Sequence, residues 1–161
     1  MDNTLFDLAE RLGQSLKAKG CKIATAESCT GGWIAQAITE VSGSSAWFDR
    51  GFVTYSNSAK VQMLGVNPQT LAQFGAVSAE IALQMASGAL ANSEADWVVA
   101  VTGIAGPDGG SEEKPVGTIY VAWQDKAGNA KVERLQLSGN RHQIRKQTVK
   151  NAIEGFFEWP Q

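Results

Sequence analysis

Residues 22–36 read KIATAESCTGGWIAQ. Residues 22–25 form a short strand candidate, and from Trp33 onward the apolar residues follow a helical pattern. Between them Glu27, Ser28, Cys29, Thr30, Gly31 and Gly32 make a strand-to-helix turn of small and polar residues. A helix opening just after Ser28 would point unpaired backbone N–H groups at whatever lies beside that hydroxyl. Gly31 and Gly32 allow close backbone approach, and Thr30 is a candidate N-cap. Such a turn suits a serine nucleophile beside an oxyanion site. It equally suits an ordinary capped turn whose serine satisfies backbone groups. Cys29 is a rival nucleophile near the same helix start, and spacing alone does not separate it from Ser28.

A chain of 161 residues with 43% hydrophobic and 19% charged content reads as one soluble domain, residues 1–161. The formal net charge of -2 lacks the basic excess of a nucleic-acid-binding module. Two cysteines, Cys21 and Cys29, make no disulfide framework and point to a reducing compartment. No basic segment leads into an apolar run at the start, and the apolar run 97–101 is too short to span a bilayer. The expectation is a cytoplasmic protein with neither membrane nor nucleic acid as partner.

Outward from the turn, Leu5, Leu8, Ala9, Leu12 and Leu16 predict an amphipathic helix over residues 3–19, ended by Gly20. The turn's own helix is expected over about 31–41, and residues 51–55 (GFVTY) read as a strand. Ser56 or Asn57 caps a short helix to about residue 64, closed by Gly65. Pro68 opens another helical turn, and Ser78 caps a long helix to residue 90 with Ile81, Met85 and Ala89 on one stripe. WVVAVT, residues 97–102, has the continuous apolar character of a central strand. Residues 117–123 and 132–137 predict an antiparallel hairpin, and Asn140 caps a last helix. The order αβαβααβββα implies an α/β fold, a mixed sheet with helices on its faces.

One histidine, His142, stands among Arg141, Arg145 and Lys146, which disfavours its protonated form and its use in a triad. With Cys21 and Cys29 it has no metal-ligand spacing. Lys60 is the better base: it falls near a helix start, where the dipole disfavours a cation, and leans toward Met63 and Leu64. Both features lower a lysine pKa toward the range useful for proton abstraction. Tyr55 can deliver its hydroxyl to the same cavity or simply pack on the sheet. TGIAG, carrying Thr102, Gly103 and Gly106, lacks dinucleotide or Walker spacing yet permits close approach to a flat or anionic ligand. Arg141 and Arg145, one turn apart at a helix start, form either a phosphate or carboxylate clamp or a solvated face.

AESCTGG, GFVTYSNSAK, GAVSAE and TGIAGPDGGSEEKPVGT, in that order and spacing, resemble the C-terminal domain of the competence/damage-inducible CinA family. The resemblance covers essentially the whole chain. It implies a three-layer α/β/α sandwich and hydrolysis of nicotinamide mononucleotide to nicotinate mononucleotide and ammonia, in pyridine nucleotide salvage. It also implies no metal or other cofactor, a homo-oligomer, and a serine–lysine mechanism assisted by a tyrosine. Matched to the motifs, these fall on Ser28, Lys60 and Tyr55 as catalytic residues. Thr30, Gly31, Gly32, Thr102, Gly103, Gly106 and one or both of Arg141 and Arg145 are the substrate-binding candidates. The alternatives are a silent pyridine-nucleotide-binding regulatory module and an amidase for another small amide.

Overall fold

The computed structural model describes residues 3–158. Five strands, β1 (Ile23–Glu27), β2 (Phe48–Val53), β3 (Trp97–Gly103), β4 (Thr118–Asp125) and β5 (Ala130–Gln136), form one sheet in the order β2-β1-β3-β4-β5. β1 is parallel to β2 and β3, whereas β4 pairs antiparallel with β3 and with β5. The sheet is therefore mixed, and the apolar run 97–101 lies in its central strand, as expected.

Among the described residues six α-helices accompany the sheet: α1 (Asn3–Lys19), α2 (Trp33–Thr39), α3 (Asn57–Leu64), α4 (Pro68–Phe74), α5 (Ala79–Ala91) and α6 (Arg141–Glu154). Side-chain alternation sorts them into two layers. Val99 and Val101 of β3 pack with Leu12 and Leu16 of α1, Ile34 and Ile38 of α2, and Ile144 and Ile153 of α6. Val98 and Ala100, facing the other way, pack with Leu64 of α3 and with Ile81, Met85 and Ala89 of α5. The fold is an α/β/α sandwich.

The predicted elements all occur, with shifted bounds that have local causes. α2 begins at Trp33 rather than near residue 31, because Gly31 and Gly32 both sit at positive φ (60° and 105°), outside the right-handed helical region. Thr30 is not its cap: the N-cap position is Gly32, with no side-chain cap bond. β2 begins three residues and ends two residues earlier than expected, at Phe48 and Val53, which frees the carbonyls of Thr54 and Tyr55 from the strand. Phe156 lies in a short 3-10 turn, Gly155–Glu158, behind α6. Ser56, Ser78 and Asn140 do cap α3, α5 and α6, the last through a full capping box with Gln143.

α3 and α5 meet at Gly88, where an added Cβ would strike the Leu64 carbonyl. Alanine improves helix propensity by about 1 kcal/mol, but a collision with backbone cannot be relieved by a rotamer change. Gly88→Ala is therefore expected to destabilise the fold by about 2 kcal/mol. Thermal unfolding followed by circular dichroism should show a fall in Tm of about 4–8 °C.

Candidate active site

Glu27, the last residue of β1, is registered with Val53 on β2 and Val101 on β3. One residue further along, Thr54, Ser28 and Thr102 form the next row, at the carboxyl ends of three adjacent parallel strands. Alternation turns Ser28 and Thr102 to the face that carries Ala26 and Ala100, the face covered by α3 and α5. Lys60 reaches that row from α3. Its Nζ lies 3.0 Å from Ser28 Oγ, 3.1 Å from the Thr54 carbonyl oxygen and 3.2 Å from that of Tyr55. The sequence leans the lysine stem over an apolar face near Met63 and Leu64. The side chain is fully inside, 1% exposed, next to Ser28 at 8%.

Burial pushes the Lys60 pKa down, because the charged form loses its hydration. Cys29 acts weakly in the opposite direction. That opposition needs a thiolate, and burial pushes the Cys29 thiol up to about 12. At neutral pH the thiol is protonated, so the downward push on Lys60 stands. Among the described residues no carboxylate pairs with Lys60. A neutral amine fits the contacts well: two N–H bonds to the two carbonyls, and the lone pair toward the Ser28 hydroxyl.

The cavity beside this pair has a volume of about 260 Å³ and is lined by Ser28, Cys29, Tyr55, Asn57, Lys60, Ala76, Val77, Thr102, Gly103, Ala105 and Arg141. Arg141 crosses its mouth, donating to the Gly106 carbonyl at 2.9 Å and to the Tyr55 hydroxyl at 3.2 Å. Tyr55 is 62% exposed there. Its hydroxyl therefore belongs to the rim, while its carbonyl belongs to the Lys60 site. The Thr102 hydroxyl donates to the Ala76 carbonyl at 2.9 Å and so fixes the opposite wall.

Of the remaining predicted residues, Thr30, Gly31, Gly32 and Arg145 do not line this cavity. They border an open hollow on the other side of the turn, with Trp33, Gln36 and His142. The N–H groups opening α2 do not face Ser28 either. Those of Ile34 and Ala35 donate to the Glu27 carboxylate at 2.8 and 3.0 Å, and the Thr30 hydroxyl donates to it at 2.6 Å. Glu27 thus caps α2 from the strand side. A larger groove of about 520 Å³ between α1 and α6 contains none of the Ser28 cluster. Among the described residues no three His, Cys, Asp or Glu side chains gather to hold a metal ion.

Asn57, Ala76 and Val77 escaped the sequence reading as wall residues. Asn57 follows the capping Ser56 and was read only as an alternative cap. Ala76 and Val77 sit inside GAVSAE, one of the matched motifs, so the signal was present without a role.

The Cys29 environment yields a direct check. A thiol with a pKa of about 12 stays protonated at pH 8 and is 6% exposed. Brief alkylation of the native protein at pH 8 should spare Cys29 and label Cys21, as read by peptide mass spectrometry. Denaturation should expose both.

Residues 5–159 match the CinA C-terminal domain. The chain is 53% identical over 157 residues to nicotinamide-nucleotide amidohydrolase PncC of Escherichia coli K12, covering 98% of this chain and 95% of that one. It is 52% identical to the Pseudomonas putida protein of the same name, over 94% of each. The crystal structure of competence/damage inducible protein CihA from Agrobacterium tumefaciens superposes with a TM-score of 0.96 at 50% identity, covering 98% of this chain and 96% of that one. Agreement in sequence along almost the full length, and in fold, leads to one assignment: this chain belongs to the CinA C-terminal domain family.

Proposed function

We propose that this chain hydrolyses the carboxamide of nicotinamide mononucleotide to nicotinate mononucleotide and ammonia, by a serine–lysine route, in pyridine nucleotide salvage. The names of its full-length relatives support the reaction. The contact that supports the route is the 3.0 Å separation of Ser28 Oγ from a buried Lys60 Nζ.

Neutral Lys60 takes the hydroxyl proton as Ser28 Oγ attacks the carboxamide carbon. The carbonyl π electrons move onto oxygen, and the resulting oxyanion needs donors beside Ser28; the Cys29 N–H is the nearest in the chain. Lys60 then passes its proton to the amide nitrogen as the C–N bond breaks, releasing ammonia and leaving a nicotinoyl ester on Ser28. Water attacks that ester with Lys60 again as base. The proton returns to Ser28 as the carboxylic acid product departs and ionises. Lys60 starts and ends neutral, which is the state its burial favours.

Ser28→Ala should abolish ammonia release while leaving Tm unchanged, since nucleophile and base act as a unit and their loss costs several orders of magnitude. Near-normal turnover in the folded variant would refute the assignment. Lys60→Arg should be inactive, because guanidinium does not give up its proton.

The sign of the pH dependence follows from the downward shift of Lys60. Below its folded pKa the lysine is charged and cannot act as base, so kcat/KM should rise with pH through a value below the ordinary ~10.4. Stability should rise with pH in the window between the folded and the ordinary value, where the unfolded chain holds a proton that the folded chain has released. A rate profile that falls with pH across that window would rule out neutral Lys60 as the base.

Arg141, at the cavity mouth, is the proposed handle for the phosphate, with the backbone around Gly103 and Gly106 beside it. A charge-assisted bond of this kind is worth roughly 1.5–3 kcal/mol, about ten- to a hundredfold in binding. Arg141→Ala should raise KM for the mononucleotide by that factor and leave residual turnover of the riboside nearly unchanged. An equal loss on both substrates would assign Arg141 to supporting Tyr55 and the glycine loop instead.

A further inference from the structure

Arg145 stands outside the cavity yet is tied to the turn that carries Ser28. Its Nε donates to the Cys29 carbonyl at 3.0 Å and its Nη2 to the Thr30 carbonyl at 3.0 Å. The guanidinium also lies over the Trp33 ring, 5.5 Å from its centroid.

The Thr30 carbonyl shares its peptide plane with the Gly31 N–H. In a trans peptide the two point in opposite directions. Gly31 N–H donates to the Ser28 carbonyl at 3.1 Å. That carbonyl in turn shares its plane with the Cys29 N–H, which points the other way. Among the described residues no backbone oxygen accepts the Cys29 N–H, which has its own thiol beside it, and Cys29 lines the cavity with Ser28. Gly31 itself lies at positive φ, and a Cβ there would meet Arg145 Nη2 at 3.5 Å.

We infer that Arg145 is a positioning residue for the reaction proposed above: through two hydrogen-bonded peptide planes it orients and polarises the Cys29 N–H as the donor to the developing oxyanion. The inference rests on the Ser28 reading. The chain is guanidinium to Thr30 carbonyl, Gly31 N–H to Ser28 carbonyl, Cys29 N–H to substrate oxygen. Each link is a dipole aligned head to tail with the next, and such chains strengthen one another. A cation at the outer end makes the inner N–H a better donor. The bond from Nε to the Cys29 carbonyl stops the turn from rotating about its own axis.

Arg145 and Arg141 therefore differ in what their loss does. Arg141 meets the ligand's distal end, so its loss acts on KM and on one substrate. Arg145 acts on the transition state, so its loss acts on kcat and on every amide the site takes.

The test compares Arg145→Met, Arg145→Lys and Ser28→Ala in the full chain, with the mononucleotide and the riboside as substrates and Tm recorded for each. Methionine keeps the packing against Trp33 and removes all donors. Direct loss of an oxyanion donor costs about a hundred- to a thousandfold in kcat, so weakening one through two peptides should cost about ten- to a hundredfold. The expected result for Arg145→Met is that loss in kcat, equal on both substrates, with KM changed less than about threefold. The pH midpoint should stay unchanged, and Tm should fall by only a few degrees as the two carbonyls lose their donors. Arg145→Lys, able to reach one carbonyl, should fall between, and millimolar guanidinium ion should restore part of the Arg145→Met rate.

A loss confined to the mononucleotide and expressed in KM would make Arg145 a phosphate ligand and overturn the inference. So would unchanged kcat, or a loss that follows a lowered Tm and is not restored by lysine or guanidinium. Turnover by Ser28→Ala would instead defeat the underlying serine reading, and it is read separately.

Discussion

A lysine nitrogen enclosed in a protein interior must find an acceptor for every N–H it keeps, and Lys60 is 1% exposed. Its acceptors come from the shape of the sheet. β2 is an edge strand, and it stops at Val53. The next two carbonyls, of Thr54 and Tyr55, are therefore free of the ladder and turn toward α3. The Thr54 N–H still holds the chain to β1 through the Glu27 carbonyl at 2.9 Å. Had β2 continued to residue 55, as the sequence suggested, the amine would have had to find other acceptors. The early end of β2 and the buried lysine are one structural decision.

The strand end of β1 serves both layers of the sandwich with adjacent residues. Glu27 faces α2 and takes two of its N–H groups together with the Thr30 hydroxyl. Ser28 faces α3 and meets Lys60. The period of two along a strand allows this division without any extra segment. It also places the row of Thr54, Ser28 and Thr102 at the carboxyl ends of parallel strands, where open α/β sheets offer a crevice to ligands. Thr102, in the same row, extends the floor toward the wall held by the Ala76 carbonyl.

Much of the fold was legible because the signals were periodic or local. The stripe of Ile81, Met85 and Ala89, the caps at Ser56, Ser78 and Asn140, and the apolar run of β3 each rest on a few neighbouring residues. The errors came where a distant or stereochemical constraint overruled a local one. Thr30 has the chemistry of an N-cap, but two glycines at positive φ separate it from the helix, and Glu27 claims its hydroxyl. Spacing could not divide Arg141 from Arg145, because four residues along a helix rotate by only about 40°. Their long side chains diverge beyond the helix surface, one to the rim at Tyr55 and Gly106, the other to the Cys29 and Thr30 carbonyls. That divergence is a property of tertiary packing, and no helix-face argument contains it.

Ser28 and Cys29 posed the remaining choice, and intrinsic chemistry alone would favour the sulfur. A thiol outperforms a hydroxyl only as the thiolate, and burial with a pKa of about 12 denies Cys29 that form near neutrality. A hydroxyl never reaches its anion at such pH either; it needs a base within hydrogen-bonding distance at the moment of attack. Ser28 has one at 3.0 Å. Cys29 lines the same cavity, and the guanidinium of Arg145 binds its carbonyl from the other side of the turn. In the proposed reaction the two neighbours would divide the work of acyl transfer, side chain from one and backbone from the other. Exchanging them would put a buried neutral thiol where a hydroxyl now has its base.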